Sequence, residues 1–239
     1  MRDFRRRRRR PFPAAWERDA APLDSAAVSL AVDRFELGPV GTNCYVVRAS
    51  VDAAEAVVVD PGAEAGRLLG ELESLGTTCA AILVTHGHWD HLGGIADLAE
   101  ATGAPVHMSS LERIALEQIN DFTPPDVELR PYTPDVLLEG NETLELAGIS
   151  FTTLLVPGHS PAHLAYHADG CLFSGDVLFA GSVGRTDLPF GDWDTLVRSI
   201  TQLAQQFPPE TVVYPGHGPA TTLGRELERN PFLTELRAS

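Results

Sequence analysis

No stretch of this 239-residue chain approaches the roughly 18 consecutive apolar residues of a membrane span, so a spanning helix is excluded. Cysteine is scarce. Cys44, Cys79 and Cys171 show no paired spacing, which argues against both a disulfide framework and a thiolate zinc cluster. Lysine is absent: all 18 basic residues are arginine, and seven of them (Arg2 and Arg5 to Arg10) crowd the first ten positions. The other 11 arginines face 32 acids, all but Asp3, so residues 11–239 carry a net charge of −21 within a chain total of −15. An acidic body of this kind disfavours a nucleic-acid platform. A continuous apolar segment after the basic start is also missing, because Pro11-Phe12-Pro13 and Glu17-Arg18-Asp19 interrupt it. No secretory signal is read, and a cytoplasmic protein is expected.

What is present is a mixed, core-forming composition, 44% hydrophobic with a mean hydropathy of −0.04, enough for one large domain or two small ones. Residues 1–24 read as a disordered arginine-rich extension, since consecutive arginines repel one another and the Pro/Ala stretch beyond has no apolar stripe. Residues 25–239 read as one domain. Apolar runs predict strands at Val28–Leu37, Asn43–Val47, Ala56–Val59, Ala80–Val84 and Val106–Met108, then Thr143–Leu146, Ile149–Val156, His163–His167, Cys171–Ser174 and Thr211–Tyr214. Helical spacing appears at Glu64–Leu75, Ile95–Ala101, Leu111–Ile119, Trp193–Leu203 and Leu223–Arg229. Asp121–Pro134, with four prolines, reads as a surface excursion able to border a pocket. Strands first, then alternation, then strands again fit neither a doubly wound parallel sheet nor a pure sandwich. The order predicts a layered mixed α/β domain with helices outside two sheets.

The polar clusters fall at the ends of apolar strands. The densest, Thr85-His86-Gly87-His88-Trp89-Asp90-His91, offers four potential ligands within six residues. Imidazole and carboxylate suit zinc, iron or manganese. At a strand end His86 and His88 project to one side, and a turn at Trp89 lets Asp90 and His91 address a neighbouring point. Without a cation such crowding of polar groups is costly. Three further strand ends carry a ligand-type side chain after or beside glycine: Pro157-Gly158-His159, Gly175-Asp176 and Pro215-Gly216-His217. Together these make five histidines and two aspartates, the donor set of a two-metal site with one bridging carboxylate. Asp60, before Pro61-Gly62, reads either as a turn-forming residue or as the acceptor of a ligand histidine's ring N–H. His163 and His167 are open between hydrogen-bonding support and plain surface, and His107 reads as a core or edge residue.

With these residues, the chain resembles the metallo-β-lactamase-fold hydrolases over roughly residues 28–232, through His86-x-His88-x-Asp90-His91 followed by His159, Asp176 and His217. It looks most like the glyoxalase II (hydroxyacylglutathione hydrolase) group. Gly181–Pro189, Pro215–Pro219 and Glu228–Phe232 suggest its compact bacterial branch, which lacks the C-terminal helical domain. The resemblance implies a four-layer αβ/βα sandwich. It implies two divalent metal ions, zinc first and iron or manganese otherwise. His86, His88 and His159 would hold one, Asp90, His91 and His217 the other, and Asp176 would bridge them. It further implies a bridging hydroxide that attacks a small-molecule thioester, Asp90 orienting it and handling its proton, and Arg185 meeting a substrate carboxylate. Larger relatives present a Tyr beside the last ligand where this chain has Gly218, which leaves room for other low-molecular-weight thiol esters. Within the same fold, a single-iron persulfide dioxygenase-like enzyme and a lactone or other ester hydrolase share these ligands. A non-catalytic metal-stabilised module using the arginine tail is the alternative of another kind.

Overall fold

The computed structural model describes residues 30–233, and the extension expected at residues 1–24 lies outside the described residues. Two six-stranded mixed sheets form the centre. The first runs in chain order: β1 (Ala31–Leu37), β2 (Thr42–Arg48), β3 (Glu55–Val59), β4 (Thr78–Leu83), β5 (Val106–Ser109) and β6 (Val136–Leu138). Its β1–β2–β3 pairs are antiparallel and its β3–β4–β5–β6 pairs parallel. The second sheet takes β7 (Thr143–Leu146), β8 (Ile149–Leu155), β9 (Leu164–Ala168) and β10 (Cys171–Gly175) as an antiparallel meander. It then adds β13 (Val212–Pro215) parallel to β10, and β14 (Thr221–Thr222) at the edge. A small hairpin, β11 (Leu178–Phe179) with β12 (Ser182–Val183), stands apart.

Why the central strands read as unbroken apolar runs is visible in their packing. β2 is buried along its whole length. Cys44 and Val46 pack toward the helices while Tyr45 and Val47 meet the second sheet, and Val58 against Val57 and Val59, or Ile82 against Ala81 and Leu83, alternate in the same way. A strand covered on both faces needs apolar residues at every position. The helices α1 (Ala65–Ser74), α3 (Ile95–Thr102) and α4 (Arg113–Glu117) cover the outer face of the first sheet through Leu68, Leu72, Leu98 and Leu116. The helices α5 (Trp193–Gln206) and α6 (Leu223–Arg229) cover the second through Leu196, Ile200, Leu203 and Leu223. Each such buried leucine is worth about 1.5–3 kcal/mol over exposure. The result is the four-layer sandwich, helices–sheet–sheet–helices.

Differences from the sequence expectation are local. A four-residue helix, α2 (Trp89–Leu92), replaces a simple turn. The helix expected at Leu111–Ile119 shrinks to α4, because Gln118 leaves helical geometry (φ −127°, ψ 42°) before a 3₁₀ turn at Ile119–Asp121. Strands β6, β11, β12 and β14, only two or three residues long, carry too little pattern to be read from sequence. The proline-rich excursion lines an open hollow of its own, which includes none of the candidate ligands. No helix among the described residues is long and apolar enough to cross a membrane.

This topology puts five chain reversals at one rim. The parallel strands β3 and β4 end together at Val59 and Leu83, just before Asp60 and Thr85, while β8, β10 and β13, which share one direction, end at Leu155, Gly175 and Pro215. Cross-sheet bonds lock the rims: Leu164 N–H to Thr85 O (2.8 Å), Tyr166 O–H to Val84 O (2.7 Å) and Asn43 N–H to Gly216 O (2.7 Å).

Candidate metal centre

At that rim all seven candidate ligands converge. His86, His88 and His159 form one group, Asp90, His91 and His217 a second, and Asp176 joins a third with His86 and His91; the donor atoms within each group lie within 4.8 Å of one another. The local backbone explains the division. His88 is extended (φ −78°, ψ 140°), which keeps it beside His86, and α2 begins immediately after it and turns Asp90 and His91 to the second group. Asp176 lies between them: its Oδ2 is 3.5 Å from Nε2 of both His159 and His217, and its Oδ1 is 3.5 Å from His91 Nε2. Asp90 Oδ2 stands 3.3 Å from His217 Nε2 and 3.6 Å from His91 Nε2. Close approach here depends on Gly216, where a Cβ would fall 2.1 Å from Asp176 Oδ1 and 2.8 Å from His91 Cε1.

The hydrogen-bond partners assign the imidazole protons. His159 Nδ1 faces the carbonyl of Arg185 (2.8 Å), so it carries the proton and Nε2 is a bare lone pair. His91 Nδ1 donates to Asp60 Oδ2 (2.9 Å), which turns its Nε2 toward Asp90 and Asp176. Thr85 Oγ1 gives its proton to Asp60 Oδ2 (2.7 Å) and faces His86 Nδ1 (3.0 Å) as an acceptor, so the His86 Nε2 lone pair is free too. The Nε2 atoms of His86 and His159 then both point at His88 Nδ1, each at 2.9 Å. One ring nitrogen holds at most one proton and cannot satisfy both. His91 Nε2 and Asp176 Oδ1 are buried without a hydrogen-bond partner. Convergent lone pairs and orphaned buried polar atoms are what a site for divalent cations with N/O donors provides, so the residues fit that group.

Electrostatics agree. Burial, then the charges of neighbouring imidazoles, push His86 well below the ordinary imidazole value and His88 down to about 4. Burial opposes the charged form of His91 as well, but Asp60 and Asp176 outweigh it and raise its value. Asp176, whose burial would raise it, is held to about 2 chiefly by His91, and Asp90 is drawn far below the carboxylate range by His217, His91 and Thr42. Proton and carboxylate thus pair where cation and carboxylate would.

Of the supporting residues, Asp60 takes the role of imidazole acceptor rather than that of a mere turn. It is 2% exposed, and its Oδ1 also accepts Thr85 N–H (2.8 Å). Its φ of +51° is a left-handed conformation that Asp tolerates better than most residues. His163 is fully buried, stacks on His86 (4.7 Å, 18°) and accepts the Asp176 N–H (3.1 Å). His167 instead stacks on Phe207 (4.1 Å), and His107 is a buried β5 residue. Arg185 reaches the centre through its carbonyl, while its exposed guanidinium is held by both oxygens of Asp187 (2.7 and 2.8 Å). Sequence reasoning missed three contributors. Thr42 Oγ1 donates to Asp90 Oδ2 (2.6 Å), Thr85 relays Asp60 to His86, and Glu112 accepts the Gly87 and Ala162 N–H groups and the Ser160 hydroxyl beside the first group. Thr85 had a signal, its place directly before His86; the other two reach the site from distant segments.

Known proteins point the same way. Residues 37–217 match the Metallo-beta-lactamase superfamily. The chain is 37% identical over 190 residues to a protein of Haemophilus influenzae named hydroxyacylglutathione hydrolase GloC, covering 76% of this chain and 89% of that one. Among solved structures it is similar to BLEG-1, titled a B3 metallo-beta-lactamase, with a TM-score of 0.80 and 37% identity over 85% of this chain and all of the other. It is also similar to TTHA1623 in a di-iron-bound form, with a TM-score of 0.66 and 41% identity over 84% of this chain and all of the other. The fold, the ordered ligand motif and these matches agree: the chain belongs to the metallo-beta-lactamase superfamily.

Proposed function

We propose that this metal-dependent hydrolase is a dinuclear thioesterase acting on hydroxyacylglutathione-type thioesters of the cytoplasm, such as S-lactoylglutathione. His86, His88 and His159 would hold one divalent cation and Asp90, His91 and His217 the other, with Asp176 placed between the two groups. The observation that carries this reading is the Asp176 carboxylate, whose Oδ2 stands equally far (3.5 Å) from a histidine of each group. The relative named for hydroxyacylglutathione hydrolysis supports the substrate class, and the di-iron neighbour supports two cations, of iron if not zinc.

Bound there, two cations would acidify a water, polarise a thioester carbonyl and neutralise the departing thiolate. The chain's own residues do the rest. Asp90, kept ionised by its neighbours and steadied by Thr42, presents an acceptor that orients a water proton. Asp60 and the Arg185 carbonyl hold three imidazoles with their lone pairs inward. The Arg185 guanidinium meets a substrate carboxylate by exchanging its exposed pairing with Asp187, a pairing that solvent keeps weak.

The test is metal quantification followed by a panel of thioesters, lactones and β-lactams, lactoylglutathione first. Two cations per chain and preferential thioester cleavage are expected. One iron with oxygen uptake, or faster turnover of a lactone or β-lactam, would refute the assignment.

A further inference from the structure

A buried carboxylate outside the three candidate ligand groups lies across the first histidine group. Glu112 is 5% exposed. Its Oε2 accepts the Gly87 N–H (2.5 Å), and its Oε1 accepts Ser160 Oγ–H (2.6 Å) and Ala162 N–H (2.7 Å). Gly87 is the residue between His86 and His88, and Ser160 follows His159. One carboxylate therefore ties the two loops that carry this histidine group, one from each sheet. None of these bonds goes to residue 90, 91 or 217.

A helix-start carboxylate has an ordinary role, capping its own helix. Glu112 stands at the N-cap of α4 but makes no side-chain cap bond there; its acceptors go to the ligand loops instead. Burying a carboxylate is costly unless donors meet it, and here two backbone N–H groups and a hydroxyl do. Gly87 permits the approach: a Cβ there would lie 2.9 Å from Ala115 Cβ and 3.0 Å from Glu112 Oε2.

We propose that Glu112 is a positioning residue that sets the spacing of His86, His88 and His159, and through it the cation affinity of that half of the centre. The inference rests on the two-cation reading above. It deepens that reading by making the halves separately tunable.

The experiment titrates the metal-free full chain with zinc alone against a chromophoric chelator. Glu112→Gln keeps an oxygen for Ser160 and Ala162 but sets an amide N–H against the Gly87 N–H. The wild type should hold two zinc ions; the variant should hold one at wild-type strength and the other about 10–100-fold more weakly, the usual effect of removing a ligand's outer support. Gly87→Ala, which pushes Glu112 aside without changing charge, should give the same split and stands in if Glu112→Gln does not fold. Adding Glu112→Gln to His159→Ala should weaken zinc no further, because that half is already broken. A purely structural carboxylate would lower the melting temperature while leaving both affinities intact or weakening both alike, and either result overturns the proposal, as does a further loss in the double variant. Should the wild type hold fewer than two zinc ions, the two-cation reading itself falls and takes this inference with it. Two ions held at full strength by the wild type and both single variants would remove this inference alone.

Discussion

Asp60→Asn isolates the residue that supports histidines of both halves of the proposed centre. Asn tolerates the left-handed φ of +51° about as well as Asp, so the backbone is not newly strained and only the hydrogen bonds change. The carboxylate accepts three: Thr85 N–H (2.8 Å), Thr85 Oγ–H (2.7 Å) and His91 Nδ1–H (2.9 Å). An amide cannot accept on both sides. If its oxygen stays on His91 and the Thr85 hydroxyl, its N–H₂ opposes the Thr85 N–H. If it flips, it donates to His91 Nδ1 and drives the imidazole proton onto Nε2, the atom facing Asp90 and Asp176. At least one charge-assisted bond is lost, roughly 1.5–3 kcal/mol, and outer support of this kind carries about 10–100-fold in metal affinity. Asp60 touches His91 directly and His86 through Thr85, so both zinc ions should weaken, unlike the split expected of Glu112→Gln. Zinc titration reads the affinities, and ¹H–¹⁵N correlation of the imidazoles reads the tautomers. Two zinc ions bound at wild-type strength, with the His91 proton still on Nδ1, would refute the reasoning.

Thr42→Val removes the 2.6 Å donor to Asp90 Oδ2 and should lower turnover about tenfold, within the worth of one hydrogen bond to a charged group, with metal content intact; loss of metal instead would contradict it. Gly216→Ala drives a methyl into Asp176 and His91 and should abolish paired metal binding while circular dichroism stays native, an outcome that metal analysis decides. In the metal-free chain, His86, His88 (about 4) and His163 resist protons that the unfolded chain accepts. Their stabilisation is complete above the unfolded value near 6.5 and is lost as pH falls toward 4. His91 and His217 are shifted upward, so they oppose this trend as pH falls from 7 through about 6.5, and that opposition fades toward pH 5 as both states become charged. The urea midpoint should therefore fall between pH 6 and pH 4, and a rise would refute the assignment of the shifts. Removing residues 1–24 should leave turnover unchanged in a steady-state assay, since every residue of the centre lies at position 42 or beyond.

Sequence displays donors more readily than it displays what holds them. The seven candidate ligands were legible because each is an imidazole or carboxylate placed where an apolar strand runs out, and because β2, β3 and β4 are apolar on both faces, which only a strand between two covered layers requires. Nothing in Leu111-Glu112-Arg113 marks its glutamate as different from any helix-start acid; its role exists only once α4 lies against Gly87 and the second sheet brings Ser160 alongside. Thr42 is silent for the same reason, since Asp90 is 48 residues away along the chain. Arg185 shows the converse, a residue marked by its charge that serves His159 through a carbonyl any residue would have supplied. Ligand identity determines which cations and which bond-breaking chemistry are accessible. The acceptors behind the ligands determine where each imidazole proton sits, and so how tightly each cation is held. The first is written residue by residue, the second only in tertiary approach, which is why reaction class can be read from this chain far more directly than the relative strength of the two proposed metal sites.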